Sequence, residues 1–143
     1  MKLSTKGRYA VRAMLDLALQ SEETPTLIKD ISKRQGISEL YLEQLLTRLK
    51  TAGLVRSIRG PRGGFILTKS PSQIRVIDIV QAMEGTAAPV ECVDDASLCS
   101  RANSCATRRV WVEVKNSVDR VLESFTLQDL TEQEGVGRLE LVE

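Results

Sequence analysis

Histidine is missing from this 143-residue chain. With it go the commonest general base, the commonest neutral metal ligand and the one side chain that ordinarily changes charge near neutral pH. No glycine-rich phosphate loop precedes a helix and no nucleophile–base pair stands out, so an enzyme is the least favoured class. Aromatic residues are scarce, at two Phe, two Tyr and one Trp. A core must therefore be built from Leu, Val, Ile and Ala. Long apolar runs are missing too. The stretch from Ala10 to Leu19 is short and interrupted by Arg12 and Asp16, too broken for a signal peptide or a membrane span. A cytoplasmic location is the expectation, and in that reducing compartment structural disulfides are rare. Cysteine is limited to three, an odd number gathered in one segment, which reads as metal or redox chemistry before it reads as cross-links.

What is present is an ordinary globular balance, 42% hydrophobic and 27% charged. The formal net charge of +1 hides a division. Residues 1–70 hold 13 Lys or Arg against 6 Asp or Glu, whereas residues 71–143 hold 7 against 13. A basic front and an acidic rear suggest a polyanion-binding module joined to a part with a different task.

Helical periodicity dominates the front. Val11, Met14, Leu15, Ala18 and Leu19 predict one buried face, ended by the polar break before Pro25. Leu27, Ile28 and Ile31 mark a short second helix with Gly36 as its C-terminal stop. Ser38 can cap a third, with Leu42, Leu45, Leu46 and Leu49 facing inward and Gly53 ending it. Two helices joined by a tight glycine turn form a helix-turn-helix. Residues 54–59 then alternate like a half-buried strand, Gly60-Pro61-Arg62-Gly63-Gly64 turns, and Phe65-Ile66-Leu67 returns. The expected fold is mainly α with a small β-hairpin wing, a winged helix-turn-helix with a long C-terminal dimerisation helix.

Four segments follow: 1–70 as the DNA-binding unit, 71–85 as a linking helix, 86–105 as a cysteine-bearing loop, and 106–143 as a dimerisation helix with its tail. Ile74, Ile77, Ile79, Val80 and Met83 define the linking helix. Trp111, Val114, Val118, Val121 and Phe125 are spaced 3, 4, 3, 4. That heptad-like seam suits a partner helix, although packing on its own domain would also give it. Thr126 to Leu130 can begin one more turn, and the tail after Glu134 looks frayed.

On the third helix the outward face carries Leu40, Glu43, Gln44, Thr47 and Thr51, flanked by Tyr41 and Arg48. Gln44 can read adenine bidentately, Glu43 can accept from cytosine N4, and Thr47 can bond a base or a phosphate. A solvated face would look similar. The wing is more pointed: Arg56, Arg59 and Arg62 surround a glycine-rich tip with Lys69 beyond, suited to phosphates or a narrow minor groove. Lys2, Lys6, Arg8 and Arg12 are phosphate candidates near the start of the first helix.

Cys92, Cys99 and Cys105 give C-x6-C-x5-C. Thiolates are soft ligands for iron–sulfur clusters and also for zinc, whose sites more often use closer pairs. Three inert cysteines would be expected in a core, not in a polar, acidic loop.

The opening MKLSTKGRYAVRAMLDLA, the segment ISELYLEQLLTRLKTAGLV and the wing RSIRGPRGGFIL resemble the Rrf2 superfamily of bacterial regulators over roughly residues 1–130. Within it the chain is most similar to IscR-type iron–sulfur cluster regulators and shares much with CymR-type regulators of cysteine metabolism. The resemblance implies a homodimeric repressor or activator on near-palindromic DNA, with Glu43 and Gln44 in the major groove and Arg59 in the minor groove. Ser38 and Tyr41 join them as interface candidates. It also implies a cluster, 2Fe–2S favoured, on the three cysteines. IscR-type proteins add a His three residues after the last cysteine, whereas this chain has Arg108 there, which cannot donate a lone pair. Glu91, Asp94, Asp95, Ser104, Thr107 or a partner group remain as a fourth ligand. Nitric oxide-sensing relatives use an acidic residue near the N-terminus, where this chain has Arg8. Two other readings stand beside this one: a thiol redox switch or zinc site, and an adaptor that binds a sulfur-metabolism enzyme through the acidic rear half.

Overall fold

Ser4 starts the first helix, its hydroxyl accepting the Gly7 N–H at 3.1 Å as an N-cap does. The computed structural model describes residues 3–20, 22–85, 89, 93–98, 100–101 and 104–142, backbone alone beyond 135. Helix α1 spans Thr5–Leu19, α2 Ile28–Gln35 and α3 Glu39–Thr51. Gly36 ends α2 in the left-handed conformation at φ 65°, and the Ser38 hydroxyl then accepts the Tyr41 N–H at 3.2 Å to start α3. The turn between the two helices is thus set by its own residue types.

The wing follows at once. β1 (Val55–Ile58) pairs antiparallel with β2 (Gly64–Leu67), Val55 opposite Leu67 and Ile58 opposite Gly64. The α1–α2 link adds a bridge, Thr26 and Phe65 exchanging N–H···O bonds at 2.9 and 2.8 Å. Gly64 takes φ 148°, and a Cβ there would lie 2.4 Å from the Thr26 oxygen, so only glycine lets these backbones meet.

After a 3-10 turn at Pro71–Gln73 come α4 (Val76–Glu84), a short 3-10 turn at Ala96–Leu98, α5 (Ala106–Ser124) and α6 (Leu127–Val142). The core joins Ala10, Ala13, Met14 and Leu17 of α1 to Ile31, to Leu42, Leu45, Leu46 and Leu49 of α3, and to Ile74, Ile79, Met83 and Leu127. Each large aliphatic side chain so buried contributes on the order of 2 kcal/mol.

Three expectations need correction. The buried face of α1 is Ala10, Ala13, Met14 and Leu17, while Val11, Leu15, Ala18 and Leu19 are only half-buried. The face is turned because the Asp16 carboxylate is buried with it and held by partners on α2. The linking helix starts at Val76, not Ile74. Arg75 is extended and bridges Thr126, while Val76 N–H and Ile74 O bond to Phe125 O and Leu127 N–H, each at 2.9 Å. The segment after Thr126 is helix α6 rather than a single turn and a frayed tail. Thr126 and Asp129 cap it reciprocally, Asp129 N–H to the Thr126 hydroxyl at 3.1 Å and Thr126 N–H to the Asp129 carboxylate at 2.9 Å. Its first residue, Leu127, is fully buried.

Candidate DNA interface and cysteine loop

The inward leucines of α3 are at most 1% exposed, which forces Leu40, Glu43, Gln44, Thr47 and Thr51 outward. Glu43 and Gln44 sit side by side on that face. The Thr47 hydroxyl donates to the Glu43 main-chain oxygen at 2.7 Å and the Thr51 hydroxyl to that of Thr47 at 3.0 Å. Thr47 therefore offers lone pairs, not its proton: it can accept from a base amino group, whereas bonding a phosphate would require its hydroxyl to leave the Glu43 oxygen. Ser38 lies at the head of the helix with its oxygen engaged in the cap.

Lys6 of α1 is brought beside α3, where Lys6, Tyr41, Gln44, Leu45 and Arg48 line a notch of about 160 Å³. The Tyr41 ring meets Tyr9 edge-to-face at 5.9 Å between centroids, and the Arg12 guanidinium lies 5.3 Å from the Tyr9 centroid. Arg12 also donates to the side chain and main chain of Gln35, so this phosphate candidate serves the α1–α2 junction as well. Arg8 donates to Thr5 on its own helix at 3.4 Å. Lys2 lies outside the described residues.

On the wing, Arg56, Arg59 and Arg62 are all exposed, and the tip closes with Gly63 N–H on the Gly60 oxygen at 2.9 Å. The sequence reading missed Lys50. Its ammonium donates to the Ser57 hydroxyl at 3.1 Å and ties α3 to β1, a contact with no local signature.

A second missed feature is the polar joint beneath the helix-turn-helix. Asp16 is 1% exposed and accepts Arg34 Nη2 at 2.8 Å, Arg34 Nε at 3.0 Å and Gln35 Nε2 at 3.0 Å. The hydrogen bond to Asp16 pushes the Arg34 guanidinium further above its already high range. This joint fixes α2, and through it α3, against α1.

The last turn of α4 touches both DNA-side helices. Arg48 Nη1 donates to the Met83 oxygen at 2.9 Å, and the Glu84 carboxylate accepts the Ser4 N–H at 2.5 Å. One residue later Gly85 ends the helix and the cysteine-bearing segment begins.

Of the three cysteines, Cys92 and Cys99 lie outside the described residues, as does Glu91. Cys105 is the N-cap residue of α5 and half-exposed. Its sulfur lies 3.0 Å from the Thr107 hydroxyl. That hydroxyl, and next the Arg108 N–H, hold the thiol below its usual range, with Arg101 adding a favourable charge. Asp95 accepts the N–H and hydroxyl of Ser97 at 3.0 and 2.6 Å, which lowers its carboxyl below the usual range. Among the described residues no group of three metal-ligating side chains is gathered.

α5 buries none of its residues in the single chain. Trp111, Val121 and Phe125 are 39%, 58% and 46% exposed, and Val114 and Val118 are half-buried. Among the described residues no helix is long and apolar enough to cross a membrane.

A helix-turn-helix with an exposed polar reading face, an arginine-bearing wing and an appended apolar helix defines a winged-helix DNA-binding regulator. The sequence profile of the Rrf2 family, iron-dependent transcriptional regulators, matches residues 3–133, and the chain belongs to that family. It is 43% identical over 130 residues to the transcriptional regulator CymR of Bacillus subtilis, covering 91% of this chain and 89% of that protein. It is 42% identical over 136 residues to the regulator IscR of Photorhabdus laumondii, covering 95% and 82%. The solved structure of T. potens IscR superposes with a TM-score of 0.77 at 44% identity, over 94% of this chain and 88% of that one. The structure of CymR, the global cysteine regulator of B. subtilis, gives 0.77 at 41% identity, over 93% and 98%. These relatives are transcription regulators, not enzymes. Members of the family bind DNA and form dimers.

Proposed function

We propose that the chain is a homodimeric, sequence-specific regulator whose DNA affinity responds to an iron–sulfur cluster, 2Fe–2S favoured, held by Cys92, Cys99 and Cys105. The observation that carries this reading is the setting of Cys105, a half-exposed cysteine at a helix N-terminus where one hydroxyl and two N–H groups favour thiolate. Thiolate is the form that ligates iron. The cluster would supply a centre whose occupancy and redox state change with conditions. With no His, the Thr107 hydroxyl beside the sulfur and the carboxylate of Asp94 are donors for a fourth position.

The chain's own residues provide the route to DNA. Residues 86–105 run from the last turn of α4 to the first of α5. Met83 and Glu84 in that turn hold Arg48 of α3 and Ser4 before α1. A displacement of the turn therefore moves the recognition helix and the Lys6-bearing helix together. Such a change alters DNA affinity only if DNA binds the two loop states with different affinity. The exposed seam of α5 supplies the two-fold surface, and a two-fold dimer calls for a near-palindromic operator. Genes for iron–sulfur assembly or cysteine supply are the targets that the resemblance to IscR- and CymR-type regulators implies.

The test is binding to a selected operator duplex by protein purified anaerobically, before and after iron chelation. A several-fold change in affinity supports the reading, and equal affinity contradicts it. A thiol switch or zinc site on the same dimer is the second reading, favoured by the thiolate setting of Cys105 and by the likeness to CymR. Zinc retained in place of iron and sulfide would select it. Retention of a sulfur-metabolism enzyme on the acidic rear half would instead mark an adaptor.

A further inference from the structure

We infer that Leu40 is a specificity-determining residue that meets the 5-methyl group of a thymine in the major groove. This rests on the DNA-binding reading above. Leu40 is 69% exposed, although α3 already has four leucines that are almost fully covered. It forms one stripe with Glu43, Gln44 and Thr47, at spacings of three, four and seven residues. The two threonine hydroxyls on this face are donated to the helix's own carbonyls. The outward face thus reads apolar at Leu40, polar at Glu43 and Gln44, and a methyl beside an acceptor oxygen at Thr47.

Leu40 follows the cap Ser38 by two residues, in the first turn of α3. Early residues of a recognition helix are the ones that reach base edges. The thymine methyl is the apolar group that a standard base pair shows in the major groove. A leucine set against the polar edge of guanine or cytosine would cover donors and acceptors without bonding them. The same helix face argues against an apolar protein partner, because Gln44 of the stripe shares a notch with the basic side chains of Lys6 and Arg48, which match phosphates.

The test begins with selection from a random duplex library by the full chain and by Leu40→Ser. The selected operator is then resynthesised with deoxyuridine, which lacks the methyl, at each thymine in turn. For the unaltered chain, one thymine per half-site should lose about three- to four-fold in affinity on replacement, the scale of one buried methyl. Leu40→Ser should ignore that replacement and no longer select thymine there, while Leu40→Met keeps the preference. If no deoxyuridine duplex binds more weakly, or Leu40→Ser responds as the unaltered chain does, Leu40 reads no methyl. Gln44→Ala on the same duplexes separates the two claims. Relaxed preference in Gln44→Ala without any deoxyuridine effect overturns the role of Leu40 alone, whereas selection left unchanged by both Gln44→Ala and Leu40→Ser removes α3 as the reader and overturns both.

Discussion

Arg48 of the recognition helix donates to the main-chain oxygen of Met83, at 2.9 Å, in the last turn before the cysteine-bearing segment. The bond joins a DNA-side helix to the helix on which that segment begins. Arg48→Ala should cost about 1 kcal/mol in urea unfolding, a normal loss for a partly exposed hydrogen bond. More telling, it should shrink the affinity difference between iron-loaded and chelated protein on the same duplex. An undiminished difference would show that the Arg48–Met83 bond carries no coupling.

Asp16→Ala should destabilise the chain by about 2 kcal/mol in thermal or urea unfolding. It strips partners from Arg34 and Gln35, but Arg34 is 39% exposed and can be rehydrated, so the loss stays below the range for fully buried pairs. The double variant with Arg34→Ala should be less unstable than the two single losses added together.

Gly64→Ala should cost about 2 kcal/mol or more, because the new methyl meets the Thr26 oxygen and the residue is held at φ 148°. Gly135→Ala, in α6 with nothing within 4 Å of its added Cβ, should instead stabilise the chain by about 0.5–1 kcal/mol. Paired denaturation curves check both signs.

Much of this architecture was legible in the sequence where the signal is local. The α3 face of Leu42, Leu45, Leu46 and Leu49, the Gly36 stop, the Ser38 cap and the Gly60–Gly64 turn are each written by neighbouring residues. What escaped was tertiary. Asp16 looks like one polar interruption of an apolar helix until Arg34 and Gln35, 18 and 19 residues on, are placed against it. The start of α4 was set by Arg75 bridging Thr126, and α6 by a Thr126–Asp129 cap read as no more than one turn. On the reading face, the residue types named Glu43 and Gln44, but only the fold showed Thr47 bonded to its own helix and Lys50 turned to the wing. Spacing placed the three thiols in one segment, and their common geometry lies beyond what spacing encodes.

Three substitutions should separate the roles on the DNA surface. Gln44→Ala should relax sequence preference by about 1–3 kcal/mol at one base pair. Arg59→Ala should weaken operator binding. Lys6→Ala should lower affinity evenly across sequences and flatten the salt dependence by about one unit. Binding titrations at several salt concentrations, on operator and random duplex, resolve all three. Equal weakening of specific and random binding by Gln44→Ala would remove its base-reading role.

The central claim is tested most directly by anaerobic purification, with a visible spectrum and iron and sulfide counts on the unaltered chain and on the Cys92→Ala, Cys99→Ala, Cys105→Ala triple variant. The account predicts a coloured protein holding both elements and a colourless, iron-free variant. A colourless unaltered chain without iron or sulfide would contradict it and leave a DNA-binding dimer whose thiols act as a redox switch or a zinc site.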